Sequence, residues 1–311
     1  MRPRDTSILV LGAGELGMAV LRNLAKHVTL HPGMTLTVLL RPATISSHDS
    51  TKQRDLAALR SLGIDVLPGD LAAASSADLS ALFGRFTTVV GCTGFVGGSG
   101  TQRKLARAVL DAQVHRYVPW QFGVDYDVIG RGSAQDLFDE QLDVRDLLRA
   151  QKETEWVILS TGMFTSFLFE PSFGVVDLAE NTVHALGSFD NALTVTTAED
   201  IGVLTAEVVF AEPRIMNQVL YAAGDTVTYA RLADIVDSVL SRKVHRAEWS
   251  LGRLRDELAQ EPDNALRKYR VVFAEGKGVS WEMAKTFNAQ RGIETIGVER
   301  WMRDNLRSSI A

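Results

Sequence analysis

Ser7-Ile8-Leu9-Val10-Leu11-Gly12-Ala13-Gly14-Glu15-Leu16-Gly17 opens as a run of strand length and ends in a glycine-rich turn. Residues 16–26 carry a helical pattern, so the stretch reads as strand, turn and helix. Its glycines fit G-x-G-x-x-G, and each has a separate task. Gly12 permits a tight turn, Gly14 lets the backbone approach a pyrophosphate, and Gly17 lets the helix lie close to the strand. The first helical turn, with Glu15 and Leu16, offers free N–H groups and the positive end of a dipole to a phosphate. In this strand-to-helix context the pattern points to a bound dinucleotide.

Working outward, apolar runs at 35–40, 64–67, 87–91, 116–119 and 156–160 alternate with helical patterns at 53–62, 77–83, 102–113 and 135–150. The runs are continuous, as in strands buried on both faces. Strand–helix repetition predicts a parallel sheet with right-handed crossovers. Residues 1–160 are therefore expected to form an α/β domain, a Rossmann-type doubly wound parallel sheet. After Gly162 the rhythm changes. Residues 163–169 are rich in aromatics, 181–195 hold short β segments, and Thr197 with Asp200 resembles a capping box at the start of a helix. A strand is expected at 219–223 and a helix at 229–240, before a charged, helical final third. Residues 161–311 are expected to form a smaller α+β region that binds the substrate, with segments around 190–225 packing back on the first domain.

Composition narrows the function classes. With 46% hydrophobic and 23% charged residues among 311, the chain has enough apolar surface to offset ordering entropy, so disorder is excluded as its main state. A formal net charge of −5 argues against a nucleic-acid partner. Cys92 is the single cysteine, which rules out an internal disulfide and a multi-cysteine zinc site. Met1-Arg2-Pro3-Arg4-Asp5 is charged, and the apolar run behind it is broken by Gly12 and Gly14. That is too short for a secretory segment or a membrane span. The expectation is a cytoplasmic monomer or homodimer with a small-molecule substrate, no metal and no membrane partner.

The choice of dinucleotide turns on the end of the second strand. An acid there would read the 2′-hydroxyl of an NAD ribose. Here the strand ends at Arg41, and no acid follows until Asp49. A guanidinium binds a 2′-phosphate through paired charge-assisted hydrogen bonds, so NADP(H) is expected, with Ser46, Ser47 and Lys52 in support. Ligands of open α/β sheets lie beyond the carboxyl ends of the strands. Asp70 and Leu71 fall at such an end, as do Thr93, Gly94 and Phe95, and Trp120.

The usual Tyr-x-x-x-Lys acid of short-chain dehydrogenases is absent: Tyr117, Tyr126, Tyr221, Tyr229 and Tyr269 are followed four residues later by Gln121, Gly130, Asp225, Ala233 and Phe273. The glycine loop, Arg41, Gly69-Asp70-Leu71, Val118-Pro119-Trp120-Gln121-Phe122-Gly123 and the helix at 138–148 together resemble the NmrA-like and isoflavone-reductase-like branch of the atypical short-chain dehydrogenases. The resemblance spans nearly the whole chain. It implies that residues 119–123 line a nicotinamide pocket, with Trp120, Gln121 and Phe122 as cofactor contacts. It further implies either reduction of a small organic carbonyl, imine, enone or quinone-type compound by NADPH, or NADP(H) sensing without turnover. Phe122, Gly123, Met163, Phe164 and Phe167 are expected at the substrate, which suits a flat, aromatic or polyketide-like molecule.

Two departures stand out. The family loop is commonly G-x-x-G-x-x-G, and Leu11 holds its first position. The reductases carry a lysine on the helix after the Phe-Gly segment, where this chain has Gln141. Leu137, Gln141, Val144 and Leu148 are spaced along one helical face, so Gln141 is expected to point inward. An amide orients a carbonyl or a ribose but is no acid. Tyr126 and Asp125 are the substitute proton donors the sequence offers.

Overall fold

The computed structural model describes residues 6–94 and 97–306. The first elements are β1 (Ser7–Leu11), α1 (Glu15–Thr29), β2 (Thr35–Leu40), α2 (Pro42–Ile45), α3 (Ser50–Ser61), β3 (Asp65–Pro68), α4 (Ser76–Phe83), β4 (Thr88–Gly91), α5 (Thr101–Asp111) and β5 (Arg116–Val118). They continue with α6 (Tyr126–Ile129), α7 (Leu137–Arg149), β6 (Glu155–Ser160), β7 (Met163–Phe164), β8 (Val176–Asp177), β9 (Thr182–Leu186), β10 (Ala192–Thr196) and α8 (Ala198–Val209). The last are β11 (Gln218–Tyr221), β12 (Asp225–Thr228), α9 (Tyr229–Leu240), β13 (His245–Trp249), α10 (Leu251–Gln260), α11 (Ala265–Glu275), α12 (Phe287–Arg291) and α13 (Val298–Asn305). Among the described residues no helix is long and apolar enough to cross a membrane.

The chain forms two compact units. One comprises the chain up to Gln121 with Glu140–Leu159 and Ile201–Val219. The other comprises Phe122–Asp139, Ser160–Asp200 and the chain from Leu220 onward. The sequence pattern places 122–139 in the first domain; the structure assigns it to the second unit. Hydrogen bonds invisible to local pattern hold it there: Asp125 N–H donates to Gly278 O at 2.8 Å, and Thr161 N–H to Gly123 O at 2.9 Å.

The first unit carries a seven-stranded sheet in the order β11-β6-β5-β4-β1-β2-β3. Every pairing from β6 through β5, β4, β1 and β2 to β3 is parallel. This is a doubly wound α/β sheet. The chain reverses direction across it at β1, which pairs with β2 on one side and β4 on the other, so the switch point lies between β1 and β4. Its core contains Leu9, Leu11, Leu39, Val89, Leu105, Tyr117, Val144 and Ile158. Helix α3 begins earlier than the sequence pattern predicts, because the Asp49 side chain accepts from the N–H groups of Thr51 and Lys52, both at 3.0 Å.

Four charged residues are buried in this unit, Arg116, Glu140, Arg145 and Glu155. Arg116 lies under the end of α8, with Nη1 donating to Val209 O (2.7 Å) and Nη2 to Val208 O (3.0 Å) and Ile215 O (2.9 Å). Glu140, on α7, accepts from the N–H groups of Gly100 (2.7 Å), Gln102 (2.7 Å) and Arg103 (3.1 Å). Its carboxylate therefore occupies the N-terminus of α5, where the helix dipole favours an anion. Replacing Glu140 with Ala strands one buried and two part-buried donors and is expected to cost about 2–3 kcal/mol, measured by urea unfolding.

In the second unit β12-β10-β7 and β13-β9-β8 form two small sheets of mixed direction, surrounded by helices. The capping box is present: Asp200 N–H donates to Thr197 Oγ1 at 3.0 Å.

Candidate functional site

A cleft of about 540 Å³ opens at the carboxyl ends of β1–β4. Gly12, Ala13 and Gly14 line it from the turn after β1, Leu39, Leu40 and Arg41 from β2 and its end, and Cys92 and Thr93 from beyond β4. Thr44, Lys52, Asp55, Leu56 and Leu59 come from α2 and α3, Gly69, Asp70, Leu71 and Ala72 from the end of β3, and Gly97 and Thr101 from the start of α5.

The glycine loop has the geometry its pattern requires. Gly12 has φ +94°, a left-handed backbone that side chains avoid. A Cβ on Gly17 would stand 2.3 Å from Gly12 O, so only glycine lets α1 approach β1 this closely. Gly14 is the N-cap of α1 and supplies no side-chain cap. A Cβ added to it would meet nothing within 4 Å. The first turn of α1, with exposed Glu15 and buried Leu16, thus begins at an open anion site. The N-terminus of α5, by contrast, already holds the Glu140 carboxylate.

Beside the loop, Thr93 Oγ1 is buried and has no hydrogen-bond partner, a donor waiting for an acceptor. Burial pushes the Cys92 thiol far above its ordinary pKa, so it is no nucleophile. The Arg41 side chain is exposed while its carbonyl accepts from Thr44 N–H at 2.8 Å, anchoring the residue to α2. Asp70 Oδ1 accepts from Ala72 N–H (2.9 Å) and Ala73 N–H (3.1 Å). Those bonds hold the carboxyl below its ordinary pKa, with Arg41 and Lys104 adding to the effect. Asp70 is therefore a turn-former as well as a lining residue. The set fits a phosphorylated dinucleotide: open backbone donors and an unpaired hydroxyl for the pyrophosphate, and two cations for a further phosphate.

Not every expected cofactor residue lines the cleft. Trp120 lies over the loop after β4, its ring 3.4 Å from where a Cβ of Gly94 would be. Gln121 is buried and engaged: its Nε2 donates to Gln141 O (2.9 Å), and its Oε1 accepts from Arg145 Nε (2.8 Å). Phe95 lies outside the described residues. Gln141 points inward, fully buried, as the face through Val144 and Leu148 predicts. Its side-chain Nε2 and Oε1 have no hydrogen-bond partner.

In the second unit Phe122 and Met163 are buried, and Phe164 is half-buried. Phe167 stacks on Phe173 with ring centroids 4.6 Å apart. The Tyr126 ring packs edge-on against Phe138 at 5.0 Å, and its hydroxyl lies 2.4 Å from where a Cβ of Gly123 would stand. Asp125 caps α6, accepting from Val128 N–H (3.3 Å), and its Oδ2 accepts from the Tyr221 hydroxyl (2.7 Å). The carboxylate offered by the sequence as a proton donor is thus part of a buried cap. His184 stacks on Trp249 at 4.1 Å, and burial lowers its pKa.

The structure thus gathers Gly12, Gly14, Arg41, Lys52, Asp70, Leu71 and Thr93 in one cleft. Sequence reasoning missed Thr44, Asp55, Leu56 and Leu59. Their signal is the helical spacing from Lys52, which places Asp55, Leu56 and Leu59 on its face.

Comparison with known proteins gives a consistent picture. The model of the NmrA-like family matches residues 4–294. An "NmrA-like family domain-containing oxidoreductase" from Gibberella moniliformis is 46% identical over 299 residues, covering 96% of this chain and 97% of the relative. Among solved structures, an isoflavone reductase superposes with TM-score 0.78 at 17% identity, over 97% of this chain and 99% of its own. AtPrR2 with NADP+ and (+)pinoresinol gives TM-score 0.78 at 18% identity over the same shares. At these identities the two structures show the shared fold.

Proposed function

The chain belongs to the NmrA-like family, and from that premise we propose that it is an NADPH-dependent reductase of a small organic carbonyl, imine, enone or quinone-type substrate. One observation carries the proposal: the open N-terminus of α1 and the Arg41–Lys52 pair line the same cleft. The relative named as an oxidoreductase and the neighbour solved with NADP+ support it.

The residues divide the work. The backbone amides from Ala13 to Leu16 hold the pyrophosphate, and Thr93 Oγ1 adds a donor there. Arg41 and Lys52 hold the 2′-phosphate. Reduced nicotinamide, when bound, supplies the hydride. Gln141 stands where the reductases have lysine, and its unpaired amide orients a ribose hydroxyl or a substrate carbonyl without giving up a proton. Of the two remaining groups, Tyr126 has the donor chemistry, while Asp125 is committed to α6 and Tyr221. In the second unit, Phe122, Gly123, Met163 and Phe164 supply the apolar groups suited to a flat substrate.

Gln141 also favours a second reading, a non-catalytic NADP(H)-sensing regulator, because it removes the family's lysine. Turnover separates the two. Under the reductase reading Gln141→Ala lowers kcat by about tenfold or more and leaves NADPH affinity within about twofold. Consumption of NADPH followed with a panel of enones, quinones and imines checks this; an unaffected rate assigns Gln141 to structure alone. No turnover with any member of the panel, alongside tight NADPH binding, favours the sensor.

A further inference from the structure

Thr93 Oγ1 is a buried hydroxyl of the cleft without a partner in the chain. A donor on a loop serves a ligand well only if its backbone is already held, because ordering it on binding costs affinity. The bonds that hold Thr93 lead to a helix distant in sequence. Gly94 O, the carbonyl next to Thr93, accepts from Gln102 Nε2. Gln102 is buried in the first turn of α5, and its backbone N–H donates to Glu140 Oε1 at 2.7 Å. Thr101, on the other side of that amide, lines the cleft, and its Oγ1 donates to Gly97 O, of a second lining residue, at 2.7 Å. The Glu140 carboxylate therefore grips the backbone on both sides of Thr101, at Gly100 and at Gln102. Through the Gln102 side chain its hold extends to the carbonyl beside Thr93.

Capping α5 does not by itself require this arrangement. A serine or aspartate at the N-cap would satisfy the same N–H groups locally. The chain has Gly100 there, which offers no side chain, and brings the anion from α7, forty residues on. What the longer route adds is a tether. It ties α7 to the loop that carries Thr93, and α7 bears Gln141 at the very next position.

We propose that Glu140 is a positioning residue for the dinucleotide: through Gln102 it fixes Gly94 and so aims Thr93 Oγ1 at the pyrophosphate. This rests on the dinucleotide reading of the cleft. The helix on which glutamine replaces the family's lysine is then also the helix that shapes the cofactor loop.

The test is a set of double-mutant cycles read as NADPH affinity, by calorimetry on protein shown to be folded. Thr93→Val removes the donor and is expected to weaken NADPH about fivefold or more. Gln102→Met leaves its backbone N–H on Glu140 but frees Gly94 O, and should weaken NADPH by a similar factor. Glu140→Gln should do the same. In the Thr93→Val background either second change should cost less than about twofold more, since the group being aimed is already gone. Unchanged affinity in Gln102→Met and Glu140→Gln, with only the urea midpoint lowered, assigns both to stability and overturns the positioning role. Losses that simply multiply in the double variants overturn it too, and in either case NADPH binding by the unaltered chain leaves the dinucleotide site standing. Failure of the unaltered chain to bind NADPH removes that reading and this inference with it.

Discussion

Arg41→Glu is expected to weaken NADPH binding by about a hundredfold or more and to leave NADH binding nearly unchanged. The backbone of Arg41 is tied to α2 through Thr44, while its side chain is exposed at the cleft. The substitution therefore changes charge at the cleft without touching the core. A guanidinium forks onto a phosphate dianion; a carboxylate in its place repels the same dianion. NADH lacks that phosphate and feels neither effect. Parallel titrations with both nucleotides check the prediction. Equal losses for the two would place Arg41 somewhere other than at a 2′-phosphate.

Arg116→Leu is expected to destabilise the protein by about 3 kcal/mol or more, because three buried carbonyls lose a charged donor. The guanidinium satisfies the carbonyls of Val208, Val209 and Ile215, joining β5 to the C-terminal end of α8. A buried carbonyl left without a donor bears its full desolvation cost. Leucine restores apolar volume but no donor. The measurement is urea unfolding of both proteins; a loss below about 1 kcal/mol would show that water replaces the guanidinium at no great cost.

These two residues also show what a sequence discloses. Arg41 was legible because its meaning is local: it ends an apolar run that follows a glycine loop, and the parallel topology brings strand ends together. The strands of the first unit were legible for the same reason, since continuous apolar runs are what two-sided burial requires. The role of Arg116 was not legible, because its partners lie more than ninety residues away. Glu140 binds the start of α5 nearly forty residues earlier, and no local pattern signals that contact. The structural role of Asp125 was not legible either, because its partners, Tyr221 and Gly278, are remote in the chain. Such long-range pairing also draws residues 122–139 into the second unit. Gln141 is an intermediate case. Helical spacing predicted its burial, but the absence of a hydrogen-bond partner is visible only in three dimensions.

The central claim is that the cleft at the ends of β1–β4 is built for a 2′-phosphorylated dinucleotide. Isothermal titration of the folded chain with NADPH, and separately with NADH, tests it most directly. The account predicts one NADPH bound per chain, at least about tenfold more tightly than NADH. Absence of binding heat from NADPH, or affinities that do not differ, would contradict it.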